Sequence, residues 1–511
     1  MSVRQEQPPL PSSSHRQGEG RGVGAAHVLK YTALFGGVQV LTMLVGLVRN
    51  KIAALLLGPA GMAVVALLNN AVSLLNQGTN FGISFSAVKH VAELTEADDP
   101  RRMQAFVRTV RLWSLSTALF GCLLCVVLAP LLSKWTFESS EHTGTFILLA
   151  PMVGMLALTG GEIAILKGAK RLRPVATISA LTSLATLLIC CPIYYFYGIP
   201  GIAPALVISQ AAILLLHLHF STRVFPWRGT FTHLRTSFVS GLPMLRLGVA
   251  FIVAGIFGKG AEYVIRTLIL RFGDLDDVGF YSTGYALTVG YTSLVFMAIE
   301  ADFFPRLSTC AGNQRRQNET INQQMEVCLL LITPILIAVA LFMPLIIRLL
   351  YSGAFLQAVP MAVCATLYMY FKALTLPVSY LPLAKGDSLM YMVTEFLYDL
   401  FVAAAIPVAF LYYGLLGAGG ALAAAGLFDL LLIHLVYRRR YAYRIEGRAL
   451  PVYLLQFLLL AATIAVSLAP SLAWRCAVGA PALIASAAVS LHILLKRDAL
   501  RHLPIHFLRK R

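Results

Sequence analysis

Residues 31–61, YTALFGGVQVLTMLVGLVRNKIAALLLGPAG, decide the fold. The run exceeds the ~20 residues that a membrane-spanning helix needs. Yet it carries Arg49, Asn50 and Lys51 well inside its apolar part. At roughly 1.5 Å per residue, Arg49 lies about 13 Å below the turn at Gly58-Pro59. A cation at that depth is costly unless it faces water, a partner or a substrate. It is therefore a functional candidate from the outset.

The rest of the chain has the same character. It is 58% hydrophobic and 13% charged, with a mean hydropathy of +0.75, which excludes a soluble globular protein. Apolar runs recur along its length, and the alternation of a membrane β-barrel is absent. The fold class expected is an all-α polytopic membrane protein. A net charge of +18 would suggest nucleic acid on a soluble domain. Here the basic residues collect in loops between apolar runs, where membrane orientation and anionic lipid account for them, so no nucleic-acid partner is expected. Cys122 and Cys125 form a CxxC inside GCLLCVV, with no second ligand pair nearby. Packing is their expected role, and neither a metal site nor a cofactor is expected.

About fourteen spans can be read, in two six-helix lobes around a central cavity plus two C-terminal helices. Residues 1–29, rich in Ser, Pro, Gly and Arg, are expected to form a disordered cytoplasmic arm. The N-lobe covers 30–222 with spans one to six, and a cytoplasmic linker covers 223–242. The C-lobe covers 243–437 with spans seven to twelve, and a basic cytoplasmic loop occupies 438–450. Residues 451–511 supply the last two spans and a basic tail. Alternate loops concentrate Lys and Arg, whereas the opposite ones (GPAG, GIPG, FGDLDD) are short or acidic. The excess of positive charge on one side predicts both termini in the cytoplasm. A short gapless match, Lys51-IAALLL-Gly58 on Arg266-TLILRF-Gly273, six spans apart, suggests two halves related by an axis along the membrane normal.

Charges within the spans nominate the site. On span seven, Lys259, Glu262 and Arg266 fall within about 60° of helical arc and share one face. They form either a self-neutralising stripe or a cationic lining of a water-filled cavity. Arg49 and Lys51 stand about 200° apart, so only one can face that cavity, and Arg49 is the deeper. Lys372 sits mid-span, with Glu395 and Asp399, spaced i, i+4, as expected partners and as gating or coupling candidates alongside Glu262. Glu162, Glu300, Asp302 and Asp429 lie closer to the cytoplasmic ends, where interfacial solvation is expected. Cations outnumber anions, which points to an anionic substrate, because a buried Arg keeps its proton and binds phosphate with two parallel hydrogen bonds. Arg49, Lys259, Arg266 and Lys372 are the candidate cations for binding such an anion. Asn69, Asn70, Asn76, Gln77 and Asn80 give span two a polar load unusual for a lipid-facing helix.

FGGVQV, RNKIAALLLGPAGMA, TNFGISFSAVK, GDLDDVGFYSTGYALTVGYTSLVF and ADFFPRLS resemble the bacterial polysaccharide (O-antigen) translocases, the Wzx-type flippases of the multidrug/oligosaccharidyl-lipid/polysaccharide exporter superfamily. The resemblance covers most of residues 30–440. It implies an inner-membrane flippase, not an enzyme, that moves polyprenyl-pyrophosphate-linked oligosaccharide from the cytoplasmic to the periplasmic leaflet for surface polysaccharide synthesis. It also implies a V-shaped, cation-rich cavity, in which Arg49, Lys259, Arg266 and Lys372 would hold the pyrophosphate. Asn69, Asn76, Gln77 and Asn80 would then suit sugar hydroxyls, or equally bond to neighbouring helices. Its implied partners are membrane lipids and the polysaccharide polymerase and chain-length machinery. In the related lipid II flippases an acidic residue follows the Arg of the first span; here Asn50 stands in its place.

Two other readings compete. A cation-coupled multidrug exporter of the same superfamily would favour acidic cavity residues, and the Arg and Lys excess argues against it. A membrane-embedded glycan polymerase or acyltransferase would need a sizeable outer loop or a His/Asp constellation, and the outer loops are short.

Overall fold

Helix α1 (Glu19–Thr79) contains the whole of residues 31–61 and is broken once, at Gly58, with φ 65° and ψ −172°. In the computed structural model of this chain, residues 19–227, 234–310, 312–469 and 474–496 are described. A straight helix would hold Arg49 and Asn69 about 30 Å apart. Both line a single cavity, so the two arms of α1 fold back on one another at Gly58. The break lies in a region of backbone space that is essentially glycine's alone.

The same device recurs twice at the same end of the bundle. Gly198 (φ 60°, ψ −138°) joins α5 (Leu172–Tyr197) to α6 (Ile202–Val224). Cys190 and Ser209 on these helices meet at 3.2 Å. Gly414 (φ 57°, ψ −145°) breaks α13 (Ser388–Tyr441). Its arms then run side by side: Phe401 stacks on Phe428 at 4.3 Å between ring centres, and Thr394 reaches the Tyr437 hydroxyl at 3.2 Å. In each turn a second glycine follows three residues later: Gly61, Gly201 or Gly417. A Cβ there would lie 2.5 Å from Leu57 Cβ, 2.9 Å from Tyr197 Cβ or 2.1 Å from Ala409 O. The first glycine turns the chain, and the second lets the outgoing helix start against the incoming one.

The first lobe is completed by α2 (Ile83–Glu96), α3 (Pro100–Phe137) and α4 (Thr143–Gly168). Asp99 caps α3 by accepting from the N–H groups of Arg101 (3.1 Å) and Arg102 (3.0 Å), with Pro100 at the first helical position. The second lobe contains α7 (Leu234–Phe272), α8 (Leu275–Tyr285), α9 (Tyr291–Thr309), α10 (Gln314–Leu350), α11 (Val359–Ser379), the short α12 (Leu381–Ala384) and α13. A π-helical turn, Ala286–Gly290, joins α8 to α9. Helices α14 (Leu450–Leu468) and α15 (Ala480–Lys496) pack on the outside of α10, and α14 also on α11.

Ten helices among the described residues are long and apolar enough to cross a membrane. Among those residues there is no β-strand. Exposed Leu, Val and Phe side chains cover the outside, including Leu188 at 71% and Leu349 at 70% exposure, as a lipid-facing surface requires. The chain is an all-α multi-pass membrane protein.

The lobes meet at the end that carries the glycine turns. Gly279 on α8 lies so close to Pro59 that a Cβ would come within 2.2 Å of the Pro59 carbonyl oxygen. Arg271 bridges to Glu138 at 3.3 Å and donates to Trp135 O at 3.3 Å. Along α3 and α7 contact continues toward the opposite, arginine-rich end, where Trp113 Nε1 donates to Phe238 O at 3.2 Å.

Three expected loops are partly helical. α1 is already formed at Glu19, inside the expected arm, because extending an existing helix costs little once it is nucleated. α7 starts at Leu234, inside the expected linker. α10 starts at Gln314, inside the polar stretch read as a loop, with Asn313 accepting from Arg316 N at 3.1 Å as its cap. Residues 1–18 and the tail after 496 lie outside the described residues.

The turn geometry carries a test. Gly58→Val and Gly414→Val should each destabilise the protein by about 1–3 kcal/mol. Gly420→Ala, where a Cβ meets nothing within 4 Å, should be neutral or stabilise by up to about 1 kcal/mol. Thermal unfolding in detergent measures all three.

Candidate functional site

Arg49 lies on the face of α1 that looks into the first lobe. With Asn50, Met62, Asn69, Thr186, Ser209 and Gln210 among its neighbours, it lines a cavity of about 370 Å³ between the two arms of α1 and helices α4, α5 and α6. That volume falls within the ~300–1,000 Å³ of small-ligand sites. The lining mixes amides and hydroxyls with apolar side chains, and the guanidinium supplies its only formal charge. Arg49 donates to Asn50 Oδ1 at 3.4 Å. It takes part in none of the ion pairs found among the described residues. The cavity is inside the first lobe, rather than between the lobes as the sequence reading expected. The cause is angular: Arg49 points into the lobe, and each following residue is turned about 100° further round the helix.

Asn50 lines the same cavity and also reaches the other lobe, where its Nδ2 lies 3.5 Å from the Tyr291 hydroxyl. Tyr291 is the first residue after the π-helical turn, a local bulge of a kind that often occurs at functional sites. Lys51 points to the C-terminal end of α10. Its Nζ donates to the carbonyls of Arg348 (2.9 Å) and Tyr351, the unsatisfied, partly negative end of α10. Three consecutive polar residues thus serve a cavity, a lobe contact and a helix cap.

The span-seven cations stand apart from this cavity. Lys259 Nζ pairs with Glu262 at 2.9 Å, and Arg266 lies 3.9 Å from the same carboxylate. Arg266 is buried: it donates to Ser282 Oγ at 3.2 Å and Glu262 O at 3.0 Å, and its guanidinium packs over the rings of Tyr281 and Tyr285. Lys259 is more open, with 43% of its side chain exposed. The stripe shares one face, as its spacing implies, and Glu262 sits between the two cations.

Lys372 pairs with Asp429 at 3.6 Å, not with Glu395 or Asp399. Asp429 is 4% exposed, so the expected interfacial solvation does not apply to it. Antiparallel packing of the two arms of α13 brings Asp429 alongside the arm that carries Glu395 and Asp399, which one-dimensional spacing does not reveal. Glu395 and Asp399 are half-buried and make no ion pair within 4.0 Å among the described residues. The four proposed pyrophosphate cations therefore occupy three separate environments.

Of the candidate sugar contacts, Asn69 lines the Arg49 cavity. Gln77 abuts Gly255 of α7, and Asn80 donates to Ser84 Oγ at 3.1 Å where α1 gives way to α2. Asn76 has a buried Oδ1 without a partner. Only Asn69 joins Arg49.

One buried cluster was missed altogether. Arg111 and Glu162 form a two-pronged pair at 2.9 and 3.1 Å, with side chains 1% and 3% exposed. Ser221 donates to the carboxylate and accepts from Arg111 at 3.2 Å. Arg111 also donates to Pro226 O at 3.3 Å and lies over the Trp227 ring. The pair thereby ties α3, α4 and α6 to the segment leading into the second lobe. In the sequence, Arg111 reads as the end of a basic loop and Glu162 as interfacial. The available signal was a Glu beside Gly160-Gly161, glycines that bring Ser84 and Ser114 close to α4. The side chain of Asp302 lies outside the described residues, and Glu300 is half-buried.

A family model described as polysaccharide biosynthesis protein matches residues 52–360. The chain belongs to this family. Over 271 residues it is 23% identical to the lipid III flippase of Escherichia coli (strain K12), a match that covers 52% of this chain and 63% of that protein. It thus spans under two thirds of the length of the curated relatives it matches. Among solved structures, the lipid II flippase MurJ in an inward closed conformation superposes with a TM-score of 0.68 at 16% identity, over 92% of this chain and 100% of that one. A multidrug resistance MATE family transporter of the MOP superfamily, inward-facing, gives a TM-score of 0.63 at 14% identity, over 79% and 94%. These likenesses establish the shared fold of this polysaccharide biosynthesis protein. The proteins named are flippases and transporters, not enzymes.

The Lys372–Asp429 pair can be separated from a ligand role by stability. Lys372→Met should cost about 3 kcal/mol by leaving Asp429 buried without its cation, and Lys372→Met with Asp429→Leu should recover most of it. A double-mutant cycle of thermal unfolding checks this.

Proposed function

We propose that this polysaccharide biosynthesis protein is a flippase that carries a polyprenyl-pyrophosphate-linked oligosaccharide across the bacterial inner membrane, for O-antigen, common antigen or capsule. The observation that supports this most is Arg49: a guanidinium that makes no ion pair among the described residues, in a polar cavity deep inside an apolar bundle. Such a group needs an anion, and pyrophosphate is matched by its paired N–H donors. Asn69, Ser209 and Gln210 offer hydroxyl and amide partners beside it for the first sugar.

Lys259, the most open cation of span seven, is the second phosphate candidate. Arg266 and Lys372, whose neighbours already satisfy them, position helices instead. Glu395 and Asp399, without ion-pair partners, are the coupling candidates for a proton or metal cation, and Glu262 links Lys259 to Arg266 as a gate. Alternating access would rock one lobe on the other about the contacts at Pro59–Gly279 and Asn50–Tyr291. Fourteen crossings, with both termini in the cytoplasm, fit the distribution of Arg and Lys. The prenyl chain would remain in lipid beside the lobes, and the polymerase would receive the product on the outer face.

Arg49→Ala, produced at normal abundance in a strain lacking other flippases, should accumulate a complete pyrophosphate-linked repeat unit. Transport should fall by roughly 10–100-fold, the loss expected for a charged hydrogen-bond pair. Arg49→Lys, which keeps the charge and loses the fork, should fall in between. Mass spectrometry of extracted polyprenyl-linked glycans measures both. An unchanged lipid pool would overturn the reading, and resistance to cationic dyes conferred by the wild type would favour drug export.

A further inference from the structure

The second lobe carries a basic pocket that the flippase reading does not use. Helix α13 ends at Tyr441, and Ala442, with φ 51°, turns the chain back in the left-handed region. Around this turn, Leu435, Arg438, Arg439, Ala442 and Arg444 line a cavity of about 370 Å³. No hydrogen bond or ion pair engages the guanidinium groups of these three arginines among the described residues. Arg440 differs: it is tied to Asp387 at 2.8 Å.

The returning segment is held by a ladder of amides on α10. Gln314 donates to Tyr441 O, Asn318 to Ala442 O at 3.5 Å and Asn322 to Arg444 O at 3.0 Å. Asn322 Oδ1 also accepts from Glu446 N at 3.1 Å. The spacing of four places these residues on one helical face. Tyr443 is buried beneath, with its hydroxyl 2.9 Å from Met325 Sδ. The backbone that aims Arg444 at Arg438 and Arg439 is thus set in advance, which lowers the ordering cost of binding.

We infer that Arg438, Arg439 and Arg444 bind the phosphate headgroup of an anionic phospholipid. Three unpaired guanidiniums around one pocket suit a phosphate. The lipid, rather than free phosphate, is indicated by Leu427, Leu431 and Leu435. They lie at i, i+4 and i+8 on α13, are 43%, 60% and 54% exposed, and run up to the pocket that Leu435 lines. Acyl chains along this stripe bring the headgroup to the arginines.

The test uses the full-length protein in phosphatidylcholine nanodiscs, titrated with phosphatidylglycerol and read by native mass spectrometry. Arg438→Gln/Arg439→Gln/Arg444→Gln should weaken retention of phosphatidylglycerol by about tenfold or more. Removing the same number of charges at the same end of the other lobe, as Arg101→Gln/Arg102→Gln/Arg108→Gln, should leave it within about twofold of wild type. Equal loss in both variants would overturn the site in favour of diffuse attraction, and no loss in the first would overturn it outright. Inorganic phosphate that binds alone and displaces the lipid would reassign the pocket to a soluble anion. The first variant should keep its melting temperature in phosphatidylcholine. Should it fail to fold, Arg438→Lys/Arg439→Lys/Arg444→Lys carries the test: retention falling by more than about twofold, through loss of the fork, supports the site, and retention within the control's limit would overturn it.

Discussion

A charge within an apolar helix must be answered by another group, and the interior of this protein follows from how each is answered. Arg111 has Glu162, Lys372 has Asp429, Lys51 has the carbonyl end of α10, and Glu262 lies between Lys259 and Arg266. The first three join different helices and the last lies along α7; in all of them a low-dielectric interior makes a lone ion far more costly than a paired one. Arg49 departs from this pattern. It makes no ion pair among the described residues, and its neighbours include amides, hydroxyls and a cavity.

The turn geometry makes that cavity possible. Gly58 and Gly198 reverse the chain at one end of the first lobe and bring the paired arms of α1 together with α5 and α6 around Arg49. Asn50 follows Arg49 directly and reaches Tyr291 across the lobe boundary, so a contact between the lobes lies one residue from the cavity's guanidinium. Arg111 acts at the opposite end, holding the exit of α6 against α3 and α4. The segment leading out of the first lobe is thereby attached at a defined point.

The polar part of α10 shows how a helical membrane protein employs amides. Residues 314–322 carry side chains that read as a solvated loop, yet they cap and clamp the backbone that emerges from α13. An amide both donates and accepts, so one helical face can satisfy a turn that has no helical partners of its own. Arg438 and Arg439 before that turn and Arg444 after it line the pocket.

The apolar runs determined by themselves that this is an all-α multi-pass membrane protein, with Arg49 as an unusual cation. Those features are local: spacing, length and composition carry them along one helix at a time. Helical periodicity likewise sufficed to put Lys259, Glu262 and Arg266 on one face and to separate Arg49 from Lys51. What each charge meets across the bundle was decided only in three dimensions. Lys372 chose Asp429 over Glu395 and Asp399 because the arms of α13 fold back at Gly414, and Arg111 found Glu162 some fifty residues away. The Arg49 cavity lies within a lobe, not between lobes, because the rotation of α1 about its own axis is set by packing against α5 and α8. Periodicity gives the angles between side chains on a helix, and only tertiary packing gives the direction in which the helix faces.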